Sequence, residues 1–331
     1  RMLCFQNDLF AWFIKGMIER KLISWIIPCF NEEEVIIKSL NEIVKVSASI
    51  TNYQWELVII DDGSIDKTSE LIKEFTNNKF DIHLIKFSRN FGHQNAVQAG
   101  LDYCKGVAAI IIDADLQDPP NLAEKMINKW ENGFQVVYGK RVQRIAENKF
   151  KIFTAFLFYR LLNFLSGIPI PNDTGDFRLI DREVIDVLNS MPEKGRFIRG
   201  LISWIGFRQT SIKYRRNKRA AGLTKYSLRK MISLALEGLT NFSRRPLRLA
   251  TFLGFFFSIF AFLGIIYVLY VRLFTLTWVP GWAAILLAIL LSSGIQMICI
   301  GILGEYIGNI FFESKNRPLY VLSSKEVIVH K

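Results

Sequence analysis

From Leu22 to about Gly139 the chain alternates two hydrophobic rhythms. Short apolar runs, LISWIIP, WELVIID, IHLIKF, VAAIIID and VVYG, are separated by stretches of helical spacing that begin at Glu33, at Asp66, near Gln94 and at Asn121. Runs of that length read as strands, and strands alternating with helices predict a mostly parallel α/β sheet covered on both faces. Ligands of such sheets sit beyond the carboxyl ends of the strands. Polar residues gather at those ends: Asn31 and Glu32, Asp61 and Asp62, Ser88 and Arg89, Asp113 and Asp115.

A different pattern takes over after Pro246. Leu249 to Val271 carries no charge, and Leu273 to Gly304 is a second charge-free stretch, broken by Pro280 and Gly281. Each is long enough to cross ~30 Å of hydrocarbon, which predicts two transmembrane helices at about 249–271 and 281–303. Arg244, Arg245 and Arg248 precede the first and Lys315, Arg317 and Lys325 follow the second, whereas the connection offers only Arg272. That asymmetry predicts a multi-pass membrane protein with the sheet domain and both termini cytoplasmic. Segments 148–165 and 225–245 are basic and apolar at roughly helical spacing, as surface-lying membrane helices are; packing in the core is the alternative. The expected organisation is an extension at 1–21, a cytoplasmic domain at 22–247, two spans within 248–304 and a cytoplasmic tail at 305–331.

Charge sharpens this picture. The net charge of +12 is concentrated between Arg196 and Arg248, where fourteen Lys or Arg residues face the single acid Glu237. A basic block immediately before a membrane span points to anionic lipid or phosphate rather than to nucleic acid. Cys4, Cys29, Cys104 and Cys299 show no spacing of a zinc site or a disulfide framework, so they read as free thiols. Neither GxGxxG nor GxxxxGK[ST] occurs, which removes the main support for dehydrogenase and P-loop readings.

The central chemical feature is IIIDADLQDPP, Ile110 to Pro120. If the strand continues through it, alternate side chains point the same way and Asp113 and Asp115 converge. Two close carboxylates repel unless a cation or proton lies between them, and a hard divalent ion open to diphosphate oxygens satisfies them. Asp118 before Pro119 and Pro120 reads as an ordinary helix start. Carboxylates at the ends of PCFNEEE and IIDDGS can accept hydrogen bonds from a base or a ribose, while Asp62-Gly63 also reads as a plain turn.

Taken together, PCFNEEE, IIDDGSIDKT, SRNFGHQNAVQAG, DADLQDPP, NDTGDFRLIDREV, RFIRGLISWIGFRQ, GLTKYS and LGEYIG resemble family 2 of the inverting glycosyltransferases, and within it the polyprenyl-phosphate enzymes. The resemblance extends from about Leu22 to Leu322 and implies the cell (inner) membrane as the location of the chain. It implies a Rossmann-like nucleotide-sugar domain of the GT-A type at 22–247, with Pro28, Phe30, Glu32 and Asp62 lining base and ribose and Asp113 contributing to the donor site. It further implies that Asp113, Asp115 and Gln117 hold Mg2+ or Mn2+ with the diphosphate, that Asp176 is the carboxylate in the position of a catalytic base, and that Arg141 and Lys225 meet the lipid phosphate. A phosphate monoester has a second pKa of about 6 and needs little deprotonation, so Asp176 is equally read as orienting the acceptor or steadying charge at the anomeric carbon.

The expected reaction is inverting transfer of one sugar from a UDP-sugar, UDP-glucose or a relative, to polyprenyl phosphate. A GDP-mannose-using relative and a non-catalytic nucleotide-binding membrane adaptor are the alternatives, and a homo-oligomer is left open. A processive polysaccharide synthase normally carries a Gln-x-x-Arg-Trp signature, which is missing here.

Overall fold

The computed structural model describes residues 20–75, 80–142, 174–215, 245–274 and 281–328. The sheet domain opens with β1 (Leu22–Cys29), α1 (Ile36–Ser49), β2 (Gln54–Asp61), α2 (Thr68–Glu74), β3 (Asp81–Phe87), α3 (His93–Tyr103) and β4 (Ala108–Ile111). A single 3-10 turn at Pro120–Leu122 leads into α4 (Ala123–Glu131) and β5 (Val136–Arg141). Then come β6 (Thr174–Asp181), α5 (Arg182–Ser190), α6 (Ile198–Ile205) and β7 (Gln209–Tyr214). Two long helices, α7 (Arg245–Phe274) and α8 (Trp282–Ser314), precede a last strand, β8 (Leu322–Ile328).

The apolar runs become strands because both faces of the sheet are covered. In β1, Ile23, Trp25 and Ile27 point into one core with α1, α2 and α4, while Ile26 points into the other with α3, α5 and α6. Residues two apart share a face, so a run buried on both sides must be apolar throughout. The strand order is β7-β5-β6-β4-β1-β2-β3-β8. β1 pairs in parallel with β2 and with β4, and β2 with β3. The sheet is nevertheless mixed, because β6 inserts antiparallel between β4 and β5, and β8 adds antiparallel to the edge of β3. Neither strand breaks the apolar rhythm visibly in sequence; both come from segments read for motifs or for membrane topology.

Two consequences position the site. The order reverses at β1, with β2 on one side and β4 on the other, so the crevice of an open α/β sheet falls between the ends of β1 and β4. Their pairing stops at Ile26 and Ile111, leaving Pro28, which has no N–H to give, at a point where the neighbouring strand has already turned away. The second consequence concerns β8. After α8 the chain returns to the sheet it left, and Ser88 N–H donates to the Val321 carbonyl at 2.9 Å. Tyr320 stacks on Phe87 and donates its hydroxyl to Asp102 at 2.7 Å.

Helices α7 and α8 contain stretches at Arg245–Val271 and Ala288–Ser314 that are long and apolar enough to cross a membrane, and among the described residues nothing buries either stretch. Their large apolar side chains, among them Phe255, Phe262, Leu290 and Ile298, are exposed. Exposed apolar surface on this scale marks contact with lipid or with another protein.

Candidate active site

Two loops frame one side of the crevice. Asn31, in the left-handed region at φ 53°, donates its N–H to Ser64 Oγ at 2.9 Å, and its side-chain oxygen accepts from Ile65 N–H at 3.0 Å. Glu32 N–H donates to Thr68 Oγ1 at 2.9 Å. The β1–α1 and β2–α2 loops are thus locked together, which fixes the half-buried Phe30 and Glu32 beside the ends of the strands. Asp61 is buried and accepts from Ser64 N–H at 2.8 Å and from the Ser69 hydroxyl.

Asp62 turns towards the next loop. Its two oxygens accept the N–H groups of Phe91 and Gly92, at 2.7 and 3.0 Å. Burial raises its pKa above the ordinary carboxylate value, and these two backbone donors oppose that shift. Gly63 makes the connection close enough, since at φ +71° a Cβ would lie 2.4 Å from the Arg89 carbonyl carbon. Asp62 therefore holds the β3–α3 loop, a role that its reading as a plain turn residue does not contain.

The acidic run departs from the geometry expected of it. β4 ends at Ile111, so Asp113 and Asp115 are not alternate residues of a strand; they lie in a turn in which Leu116 takes φ +56°. The register explains why the strand stops. Ile111 faces Arg178 on β6, and two residues further the same pairing would set Asp113 directly opposite Asp176. Like charges facing across a ladder are destabilising. A leucine in the left-handed region costs on the order of 1–3 kcal/mol, and such strain clusters at functional sites. Asp115 accepts from Gln117 N–H at 3.1 Å, closing the turn.

His93 fills the space between the two acids. Its Nε2 lies 3.0 Å from Asp176 Oδ2 and 3.7 Å from Asp113 Oδ1. Burial alone would lower its pKa, but the hydrogen bond to Asp176 and the charges of Asp113 and Asp176 push it up to about 9. Asp113 is raised by burial, against the attraction of His93.

Asp176 is the most tightly held carboxylate of the group. Arg199, on α6, donates Nε to Oδ1 at 2.7 Å and Nη2 to Oδ2 at 2.9 Å, and Gln94 Nε2 adds a longer contact at 3.4 Å. Burial opposes its charge, yet Arg199 and His93 outweigh burial and hold Asp176 well below the usual carboxylate range. Arg141 lies against the preceding residue: a Cβ on Gly175 would come 2.6 Å from an Arg141 Nη. Arg141 Nε donates to the Tyr214 hydroxyl at 3.3 Å, Tyr214 donates to the fully buried Asp118, and Arg141 Nη2 is 3.8 Å from Asp118. Asp118 is thus part of a buried polar network as well as the residue before the proline turn.

The structure brings Asp113, Asp115, Gln117 and Asp176 to the carboxyl edge of the sheet, with Asp62 at the neighbouring loop and Arg141 beside Gly175. Lys225 and the segments 148–165 and 225–244 lie outside the described residues. Sequence reading missed His93, Gln94 and Arg199, although all three stand within motif text that carries the resemblance. The available signal was chemical: Arg199 within the apolar run FIRGLI, with acids elsewhere in the chain.

The donor set suits a hard divalent cation. Asp113 Oδ1 and Gln117 Oε1 are buried and accept no hydrogen bond among the described residues, and the side-chain ligands that Asp113, Asp115 and Gln117 offer are all oxygen. Among the described residues no three His, Cys, Asp or Glu side chains are already gathered as a ligand cage. Ions of the magnesium class commonly take one or two carboxylates and complete their shell with substrate phosphates and water.

Known proteins bear on this arrangement. The model of Glycosyl transferase family 2 matches residues 24–188. An uncharacterized glycosyltransferase, YkcC, of Bacillus subtilis is 46% identical over 308 residues, 93% of this chain and 95% of its own. The bactoprenol glucosyl transferase of Shigella phage SfV is 39% identical over 307 residues, 92% of this chain and 99% of its own. Glucosyl-3-phosphoglycerate synthase from Mycobacterium tuberculosis, solved with Mn2+, UDP and glucosyl-3-phosphoglycerate, is similar at a TM-score of 0.44 and 17% identity over 66% of this chain and 78% of its own. On the identity and coverage of its relatives, this chain, a glycosyltransferase with a GT-A-like mixed sheet, belongs to glycosyltransferase family 2.

Proposed function

We propose that the protein transfers a single glucosyl or related hexosyl group from a UDP-sugar to polyprenyl phosphate, with inversion, at the cytoplasmic face of the membrane. The observation that carries this reading is the match to a bactoprenol glucosyl transferase over almost the whole of both chains, apolar helices included. The pairing of β8 with β3 supports the topology, because a chain that crosses twice ends on the side where it began.

In this reading Pro28, Phe30 and Glu32 meet the base and ribose at the end of β1. Asp62 serves the donor through the β3–α3 loop that it holds. Asp113, Asp115 and Gln117 would hold Mg2+ or Mn2+, which supplies charge compensation for the departing diphosphate. Asp176 works as a fixed negative charge. A carboxylate held so far below its ordinary pKa is a weak base, and the acceptor phosphate, with a second pKa of about 6, is already ionised at neutral pH. Its position suits stabilisation of positive charge growing at the anomeric carbon while it keeps Arg199 and His93 in place. Arg141, on β5, is assigned to the acceptor phosphate, and Lys225 is assigned the same role; both assignments come from the motifs.

Purified full-length protein in detergent, given UDP- and GDP-sugars, undecaprenyl phosphate and magnesium or manganese, tests this reading. Radiolabelled sugar should enter the lipid from a UDP-hexose; no labelled lipid from any donor would sink it.

A further inference from the structure

A cavity of about 640 Å³ lies between the β3–α3 loop, the segment leading into α6 and the foot of α8. It adjoins the active site, since His93 and Arg199, the two residues that grip Asp176, both line it. The opposite wall comes from the last turn of the apolar helix, with Phe312, and from the residues just after it, Lys315 and Arg317. One polar cavity wall therefore belongs to the catalytic sheet and the other to a helix apolar enough to cross a membrane.

The charges around this cavity sort by what they touch. Glu313 docks the helix, its carboxylate accepting the backbone N–H groups of Lys194 at 2.8 Å and Gly195 at 3.0 Å. Arg196 is committed to the framework, donating to the carbonyls of Leu188, Met191 and Glu193. Lys315 lies 3.9 Å from the centre of the Phe311 ring, and among the described residues neither Lys315 nor Arg317 forms an ion pair. Lys315 and Arg317 are exposed and line the cavity together with Phe312, and the half-buried Lys194 is a third lining cation.

We propose that this cavity receives the phosphate headgroup of the lipid acceptor where it leaves the bilayer, ahead of the transfer position served by Arg141, with Lys315 and Arg317 as its cationic contacts there and Phe312 against the first carbons of the chain. A phosphate monoester carries about −1.5 to −2 charges at neutral pH, which matches a cationic mouth. The lipid chain explains why the site is shared with the foot of an apolar helix rather than placed in open solvent. The inference rests on the reading of the acceptor as a polyprenyl phosphate.

The test uses the full-length protein in detergent and farnesyl phosphate as the probe, with binding measured by isothermal calorimetry. The double variant Lys315→Ala/Arg317→Ala should bind farnesyl phosphate about tenfold or more weakly, as expected for losing charge-assisted contacts, while Lys315→Arg binds like the parent. Farnesol and inorganic phosphate should bind the parent far more weakly than farnesyl phosphate. Unchanged binding in the double variant, equal binding of inorganic phosphate, or displacement by phosphatidylglycerol at equal concentration each overturns the proposal. Turnover of undecaprenyl phosphate is followed in parallel. Weakened binding without turnover of any donor upholds the cavity and overturns the reaction; turnover with unchanged acceptor binding does the reverse.

Discussion

Arg199 holds Asp176 side-on, Nε to Oδ1 at 2.7 Å and Nη2 to Oδ2 at 2.9 Å, so that one guanidinium edge spans both carboxylate oxygens. A lysine has a point charge and no such fork. Arg199→Lys should therefore leave the fold in place, lower kcat about tenfold or more and change the donor KM little, because it loosens a group that acts at the reacting centre. Equal losses in kcat and donor affinity would place Arg199 in donor binding instead.

Acid should separate the folded protein from its Asp176→Asn variant. The folded-state pKa of Asp176 is depressed by Arg199 and His93 despite burial. Its stabilisation is thus fully present above the unfolded value of about 3.9 and lost as pH falls towards the folded value. Thermal melting from pH 7 downwards should show the parent losing stability below about pH 4, with a shallower decline in Asp176→Asn. Parallel curves would remove the ion pair from the acid response.

Asp115→Asn should abolish transfer and metal-dependent UDP binding, with circular dichroism unchanged. The expected loss is on the order of a hundredfold or more in kcat, comparable to removing one preorganised electrostatic contact. Full activity in the variant, or in excess chelator, would remove the metal from the site.

Gly63→Ala meets two penalties at once, a left-handed φ of +71° and a Cβ 2.4 Å from the Arg89 carbonyl carbon. Backbone of that kind costs about 1–3 kcal/mol before the clash is relieved. The β3–α3 loop should shift, and both thermal stability and donor binding should fall. A variant that melts and binds UDP like the parent would show that the loop tolerates movement.

Arg141→Ala should raise the KM for polyprenyl phosphate several-fold while UDP binding changes little, as expected when a charge-assisted phosphate contact is removed. A second reading, unfolding through loss of the Tyr214 and Asp118 network, predicts a fall in melting temperature instead. Tyr214→Phe keeps the guanidinium and separates the two: it should lower stability and spare the acceptor KM.

Much of this protein was legible in the chain. The doubly covered sheet follows from apolar runs such as Val58-Ile59-Ile60, and the two long helices follow from uninterrupted apolar stretches; both are local patterns that a sequence displays directly. The grouping of Asp113 and Asp115 followed from their adjacency, and that of Gln117 with them from the resemblance. Their geometry did not, because the end of β4 is decided by what lies opposite, and β6 comes from residues more than sixty positions downstream.

The sequence by itself determined the family, the alternation of strands and helices, the apolar helices and the acids at the strand ends. Only the tertiary structure decided that β6 runs antiparallel beside β4, that β8 returns to β3, and that His93 and Arg199 converge on Asp176. The physical reason is range. Hydrophobic periodicity is set by neighbours a few residues apart, whereas the charge state of Asp176 depends on groups brought from two other segments, and the chain carries no local mark of that meeting.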